Sequence, residues 1–320
     1  MKKRFLAILT SSLFSLCSCI NTQAYIKTIF TFDTVFEVGI YKNNNDLLND
    51  VIKQTLEYAK LFNSYEEING VNNIYSINNS NSPVIVDKKL YDALKIANEY
   101  IDKTNGYFNP LIGNLSNAWK HSLENNEILP QNKIEQYLLE MNSSSLIFDD
   151  ETYSVGISGD ATLDLGAFAK GYTLSKIKEY MLNVAKESSY YVDAGSSSVL
   201  LGNKPKTNDF NIGLKYIKNA YVKLHDTSIG TSAVYEQLYT IGDTNYSHIV
   251  NPFTGSTIPN YDFVMVINED PTLTDILSTA FMSMSIEEIK AYENNHDIKV
   301  IVSNNKDIIY KSSDVEVLYH

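Results

Sequence analysis

Leu163-Asp164-Leu165-Gly166-Ala167-Phe168-Ala169-Lys170-Gly171-Tyr172 is the stretch on which the reading of this chain turns. Apolar residues alternate up to Asp164, as in a strand that ends on a carboxylate. Gly166 then marks a tight turn, because a residue without Cβ takes backbone conformations that others resist. Beyond Lys170, Leu174 and Ile177 share one helical face, so a helix is predicted to begin inside the motif. A strand-to-helix turn aims backbone N–H groups and a helix N-terminus outward, an arrangement that suits phosphate. Lys170 would add a point charge, and Asp164 could hold a hydroxyl or a donor nitrogen. The stretch matches neither GxGxxG nor GxxxxGK[ST]. Taken alone, it is either an anion site or a structural αβ turn.

On the N-terminal side, Tyr25 to Tyr41 reads as a bent pair of strands. Asp46 to Asn63 reads as a helix with Leu48, Val51, Ile52, Leu56 and Ala59 on its apolar side. A second helix is predicted from Asp87 as N-cap, carrying Leu90, Leu94, Ala97 and Ile101 and stopped by Asn105-Gly106. A helical stretch over Ile134 to Met141 precedes strands at Ser145 to Phe148 and Ser154 to Ile157. Downstream of the central motif the strands are Tyr190 to Asp193, Ser198 to Leu201, Phe210 to Leu214, Tyr221 to His225 and Phe263 to Ile267. Asp275 is expected to open a helix and another begins near Ile286, before a closing hairpin of Ile298 to Val302 and Ile308 to Tyr310. Strands and helices fall in blocks rather than strict βαβ alternation, which indicates α+β.

The ends and the composition narrow the possibilities. Lys2, Lys3 and Arg4 precede a short apolar run, Phe5 to Leu16, too short to span a bilayer. It ends in Leu16-Cys17-Ser18-Cys19, the pattern of a bacterial lipoprotein signal, with Cys19 as the lipidated residue and new N-terminus. An ordinary cleaved signal peptide is the alternative. Both cysteines of the chain lie here, so the body beyond Cys19 carries no disulfide and no thiol chemistry. Residues 1–18 are therefore read as signal peptide and 19–320 as one large domain. A lipid anchor would hold it on the extracytoplasmic face of the bacterial cell membrane. The net charge of −12 argues against nucleic acid as a partner.

Asp275 and Thr279 stand four residues apart on a predicted helix, so both project from one face. A carboxylate and a hydroxyl so placed are two hard oxygen ligands, and Mg²⁺ uses few protein carboxylates, with phosphate and water completing its shell. The competing reading has Asp275 as an N-cap and Thr279 as filler.

Tyr65 in FNSYEE, Asn109 in GYFNPLIGNL, the central LDLGAFAKGY, His248 in HIVNPFTG and Asp275 with Thr279 in TDILSTAF follow one another in an order that resembles the ApbE family, the FAD:protein FMN transferases. The resemblance runs from about Thr28 to about Ser303. It implies an ApbE-like, T-fold-like α+β domain of mixed sheets packed with helices, FAD as substrate, Mg²⁺ as cofactor and a flavoprotein acceptor bearing a Thr or Ser hydroxyl. It also implies Asp275 and Thr279 as metal ligands and catalytic residues, with a backbone carbonyl as third ligand. Ala167 is the best match for that carbonyl, and Ala169 is the neighbouring alternative. Phe32, Tyr65, Asn109, Asp164, Lys170 and His248 match flavin-dinucleotide contacts. Tyr65 would stack on or wall the isoalloxazine, Phe32 stands where Met is common, and His248 would line the adenosine side.

Two places depart from the family pattern. Asn109 replaces an Asp, and Asp193-Ala194-Gly195-Ser196-Ser197-Ser198 replaces N-x-G-G-D-I, with the serines available to donate to phosphate. The expected reaction moves FMN from FAD to a protein hydroxyl and releases AMP. An FAD pyrophosphatase and a non-catalytic flavin-binding lipoprotein are the rivals.

Overall fold

The computed structural model describes residues 23–320. Cys19, with the expected signal segment and lipidation site, lies outside the described residues. The elements are β1 (Tyr25–Thr31), β2 (Thr34–Ile40), α1 (Asn45–Phe62), α2 (Ile74–Asn78), β3 (Val84–Ile85), α3 (Lys88–Lys103), α4 (Gly113–Glu124), α5 (Gln131–Ser143), β4 (Ser145–Asp149) and β5 (Ser154–Ser158). Next come α6 (Ala169–Tyr180), a π-helical turn (Met181–Ala185), β6 (Tyr190–Ala194), β7 (Ser198–Leu201), β8 (Phe210–Gly213), β9 (Ala220–Leu224) and β10 (Thr227–Ala233). A 3₁₀ turn (Val234–Glu236), β11 (Leu238–Ile241), β12 (Thr244–Ser247), β13 (Phe263–Asn268), α7 (Pro271–Phe281), α8 (Ile286–Asn294), β14 (Lys299–Asn304), β15 (Asp307–Lys311) and β16 (Leu318–Tyr319) complete the chain.

An eight-stranded antiparallel sheet, ordered β1-β2-β6-β7-β10-β13-β14-β15, is the frame. Alternation gives it two faces. Phe36, Val38, Ile40, Tyr190, Val192 and Ala194 meet Leu47, Leu48, Val51 and Ile52 of α1 and Leu174 and Ile177 of α6. Farther along the same layer Val264, Val266, Val300 and Val302 meet Leu277 and Phe281 of α7 and Ile289 of α8. The opposite face carries Leu201, Ile229, Phe263, Met265 and Ile301, covered by Phe210 and Val222 of the small β8–β9–β16 sheet. A further core joins α1, α3 and the central motif through Tyr58, Leu90, Leu94, Leu163, Phe168 and Tyr172. Among the described residues no helix is long and apolar enough to cross a membrane.

The α+β expectation holds, with local corrections. Leu163–Leu165 is not a strand: the one isolated bridge nearby, Ile112 to Thr162, lies just before it. Its backbone is satisfied elsewhere, since Leu163 exchanges two bonds with the Asn78 side chain and the Asp164 amide donates to the Pro110 carbonyl. Gly166 is not in the left-handed region, so its φ places no special demand for glycine. Asp275 does not open its helix. Asp270 is the N-cap, accepting from the Thr272 amide at 2.9 Å, and Pro271 follows it. Leu56, expected on the apolar side of α1, is 40% exposed.

Candidate active site

Two glycines seat α7 close to its neighbours. A Cβ on Gly171 of α6 would lie 2.4 Å from both Asp275 Cβ and the Pro271 carbonyl oxygen. A Cβ on Gly230 of β10 would lie 2.0 Å from the Thr274 carbonyl oxygen. With both side chains absent, the Asp275 carboxylate comes to rest between α6 and β7. Its Oδ2 accepts from the Gly171 amide at 2.7 Å and its Oδ1 from the Ser198 hydroxyl at 2.7 Å.

This carboxylate is 4% exposed, and among the described residues no Lys, Arg or His makes an ion pair with it. A buried carboxylate held by neutral donors alone is costly without a counter-charge. Each oxygen keeps lone pairs beyond those two bonds. Thr279, one turn on, has its hydroxyl 3.1 Å from Ser232 Oγ.

The start of α6 supplies a second unsatisfied oxygen. A regular helix would close Gly171 N–H onto the Ala167 carbonyl, but that amide goes to Asp275 instead. The Ala167 carbonyl consequently accepts no hydrogen bond among the described residues, whereas the next carbonyls are taken: Phe168 by the Tyr172 amide and Ala169 by the Thr173 hydroxyl at 2.7 Å. The two alanines left open by sequence are thus distinguished, with Ala167 presenting the free oxygen. One buried carboxylate without a cation, one hydroxyl and one free carbonyl fit a hard divalent cation such as Mg²⁺. No cluster of three or more His, Cys, Asp or Glu that could hold a metal ion occurs among the described residues, so a cation here would rest on one carboxylate and neutral oxygens.

Across Gly166–Gly171 the amides are only partly free: those of Ala167 and Lys170 donate to no acceptor among the described residues, and the others are taken. Gly166 N–H donates to Asp164 Oδ1 at 2.8 Å, those of Phe168 and Ala169 to the Leu165 carbonyl, and that of Gly171 to Asp275. Asp164 also accepts from Ser116 of α4 at 2.6 Å, so it fixes the turn and its contact with α4. Lys170 makes no ion pair with Asp164, and among the described residues its ammonium reaches only the Gly166 carbonyl, at 3.4 Å. That positive charge is available to a ligand.

Lys170 lies within electrostatic reach of His248 and Glu236. Burial pushes the His248 imidazole below 6.5, a hydrogen bond to the Gln237 backbone opposes this, and Lys170 pushes it further down. The residue is exposed at the surface even though protein atoms crowd round it and desolvate the imidazole. Burial raises the Glu236 carboxyl, and Lys215 and Lys170 draw it back. Tyr65 stands 64% exposed with the Lys120 ammonium 5.1 Å from its ring centre; partial burial pushes its hydroxyl up, Lys120 opposes this, and Asp164 and Asp33 add to it. Phe32 and Asp33 form the two-residue β1–β2 loop with φ of 52° and 55°, a strained conformation for side chains other than glycine. Phe32 packs on the same apolar cluster as Ala167.

Asn109, in place of an Asp, uses its Oδ1 to accept from the Leu111 amide at 2.9 Å and shapes the loop into α4. Ser198 is 1% exposed and turned toward Asp275, so of the three serines it is not a phosphate donor. Sequence reasoning missed Ser116, Ser232 and Glu236. Their signal was faint, since a small hydroxyl or a single acid outside a motif carries no periodicity.

Fold and site together define an antiparallel α+β protein with an oxygen-lined cation seat close to Lys170, a lysine with no ion pair among the described residues. The chain belongs to the ApbE family, whose model matches residues 32–302. It is 26% identical over 269 residues to the FAD:protein FMN transferase of Klebsiella pneumoniae (strain 342), covering 79% of this chain and 83% of that one. Its identity to the FAD:protein FMN transferase of Chlamydia pneumoniae is 22% over 316 residues, covering 95% and 98%. The ApbE protein of Thermotoga maritima superposes with a TM-score of 0.80 at 25% identity over 91% of this chain and 97% of that one. The flavin transferase ApbE of Vibrio cholerae shares the fold, with a TM-score of 0.71 at 20% identity over 91% and 98%.

Proposed function

We propose that this chain is a Mg²⁺-dependent flavin transferase that moves FMN from FAD onto a Thr or Ser hydroxyl of a flavoprotein and releases AMP. The observation that carries the reading is the buried Asp275 carboxylate, without a cation partner, one helix packing contact away from the free Ala167 carbonyl. Family membership and relatives named FAD:protein FMN transferase support it.

Asp275, Thr279 and the Ala167 carbonyl would hold Mg²⁺, which supplies charge neutralisation at a pyrophosphate. Lys170 offers its ammonium to a phosphate oxygen. Tyr65 and Phe32 offer ring surface to the flavin, and Asn109 and Asp164 fix the loops around it. The acceptor hydroxyl oxygen forms a bond to the FMN-side phosphorus while the bridging P–O bond breaks, and AMP leaves with the bridging oxygen. His248, whose imidazole burial shifts toward the neutral form, is the nearby base suited to receive the hydroxyl proton. Catalysis on this account is mostly positioning and electrostatics.

AMP release measured against Mg²⁺ and FAD, with and without an acceptor flavoprotein, tests the reading. Release that requires acceptor supports transfer. Equal release without acceptor would make the chain an FAD pyrophosphatase, and tight FAD binding with no release would make it a binding lipoprotein.

The chain is also proposed to be lipid-anchored at Cys19 on the extracytoplasmic membrane face, on the strength of Leu16-Cys17-Ser18-Cys19. Cys19→Ala should move it from the membrane to the soluble or secreted fraction, because acyl chains provide the attachment. Retention after a high-salt wash would contradict this.

A further inference from the structure

Under α7, strands β7 and β10 present a row of small residues: Ser198, Gly230 and Ser232, with Ser198 directly opposite Gly230 in the pairing. Gly230 lets the helix down, and the serines flanking it meet the two side chains assigned to the cation. Ser198 donates to Asp275 Oδ1, leaving that carboxylate fixed at both oxygens. Ser232 Oγ lies 3.1 Å from both Thr279 Oγ1 and Ser278 Oγ, and Ser278 donates to the Asp275 carbonyl at 3.0 Å. Because the last acceptor is a carbonyl, the proton order is determined. Ser278 gives its hydrogen to Asp275 O, so it accepts from Ser232, and Ser232 accepts from Thr279. A hydroxyl that offers a lone pair to a cation must send its hydrogen elsewhere, and Ser232 is where it goes.

We propose that Ser198 and Ser232 are positioning residues for the cation seat, Ser198 acting through Asp275 and Ser232 acting through Thr279. Both are buried, at 1% and 8% exposure, so neither reaches substrate from its place beneath the helix. The inference rests on the reading of the site as a Mg²⁺ seat.

Mn²⁺ binding to the full chain, followed by the electron paramagnetic resonance of free Mn²⁺, tests it without turnover. Ser198→Ala should raise the Mn²⁺ dissociation constant by roughly ten- to a hundredfold, the usual effect of removing a group that orients a ligand. Ser198→Cys keeps the volume with a weaker donor, and should fall between parent and Ser198→Ala. Ser232→Ala should weaken binding by roughly tenfold in the parent, yet by less than about twofold in a Thr279→Ala background. In that same background Ser198→Ala should keep its full effect.

If Asp275→Asn leaves Mn²⁺ binding unchanged, the metal reading itself fails. If Asp275→Asn abolishes binding while Ser198→Ala, Ser198→Cys and Ser232→Ala bind like the parent, only this inference is overturned. A Ser232→Ala loss that persists undiminished without the Thr279 hydroxyl would also overturn it, as the mark of a merely structural role.

Discussion

The Gly171 amide reaches Asp275 Oδ2 at 2.7 Å instead of closing its own helical turn, and that exchange of partners frees the Ala167 carbonyl. The geometry depends on a missing side chain. Gly171→Ala would place Cβ 2.4 Å from Asp275 Cβ and from the Pro271 carbonyl oxygen, and backbone on one side leaves little room to yield. We expect a loss of about 1–3 kcal/mol and a fall of roughly 3–10 °C in melting temperature, with Mg²⁺ dependence shifted to higher concentration. Calorimetry and a Mg²⁺ titration of AMP release check the two parts. A variant as stable and as Mg²⁺-responsive as the parent would show that α6 and α7 are not tightly seated here.

How much of this was legible in the sequence depended on whether a residue's role leaves a periodic trace. α1, α3 and α6 could be read because their buried faces repeat at helical spacing, and Asp87 capped α3 as expected. β10, with the sequence TSIGTSA, escaped notice because α7 rests on it and only small residues fit. Close packing replaces the alternation by which strands are recognised. The helix start was placed at Asp275 rather than Asp270 because both are acids at plausible caps, and Pro271, the better marker of a first turn, was passed over. The order of motifs located Asp275, Thr279, Lys170 and His248. It could not say that the amides of Gly166 and Gly171 are already engaged, since that follows from contacts with Asp164 and with a helix 104 residues away.

Lys170→Ala removes a charge with no ion-pair partner among the described residues. The apparent KM for FAD should rise by roughly tenfold, about the worth of one charge-assisted hydrogen bond, with kcat within about threefold of the parent. Steady-state AMP release across FAD concentrations measures both. An unchanged KM would make Lys170 a solvated helix-start charge.

His248 has its folded-state pKa held below 6.5, mainly by burial. The unfolded chain therefore binds more protons in the interval just below 6.5, so stability rises with pH there and is lost as pH falls through the depressed value. His248→Gln should flatten this dependence. Thermal unfolding of parent and variant from pH 5 to pH 7.5 gives the comparison, and identical slopes would contradict the assignment.

The most direct test is the intact mass of an acceptor flavoprotein co-expressed with the parent or with Asp275→Asn, which keeps the shape of the side chain while removing its charge. The account predicts one FMN on a Thr or Ser of the acceptor with the parent, AMP released in equal amount, and a loss of at least about a hundredfold in transfer with Asp275→Asn at unchanged circular dichroism. Flavinylation by Asp275→Asn within about tenfold of the parent, or an unmodified acceptor alongside free FMN and AMP, would contradict it.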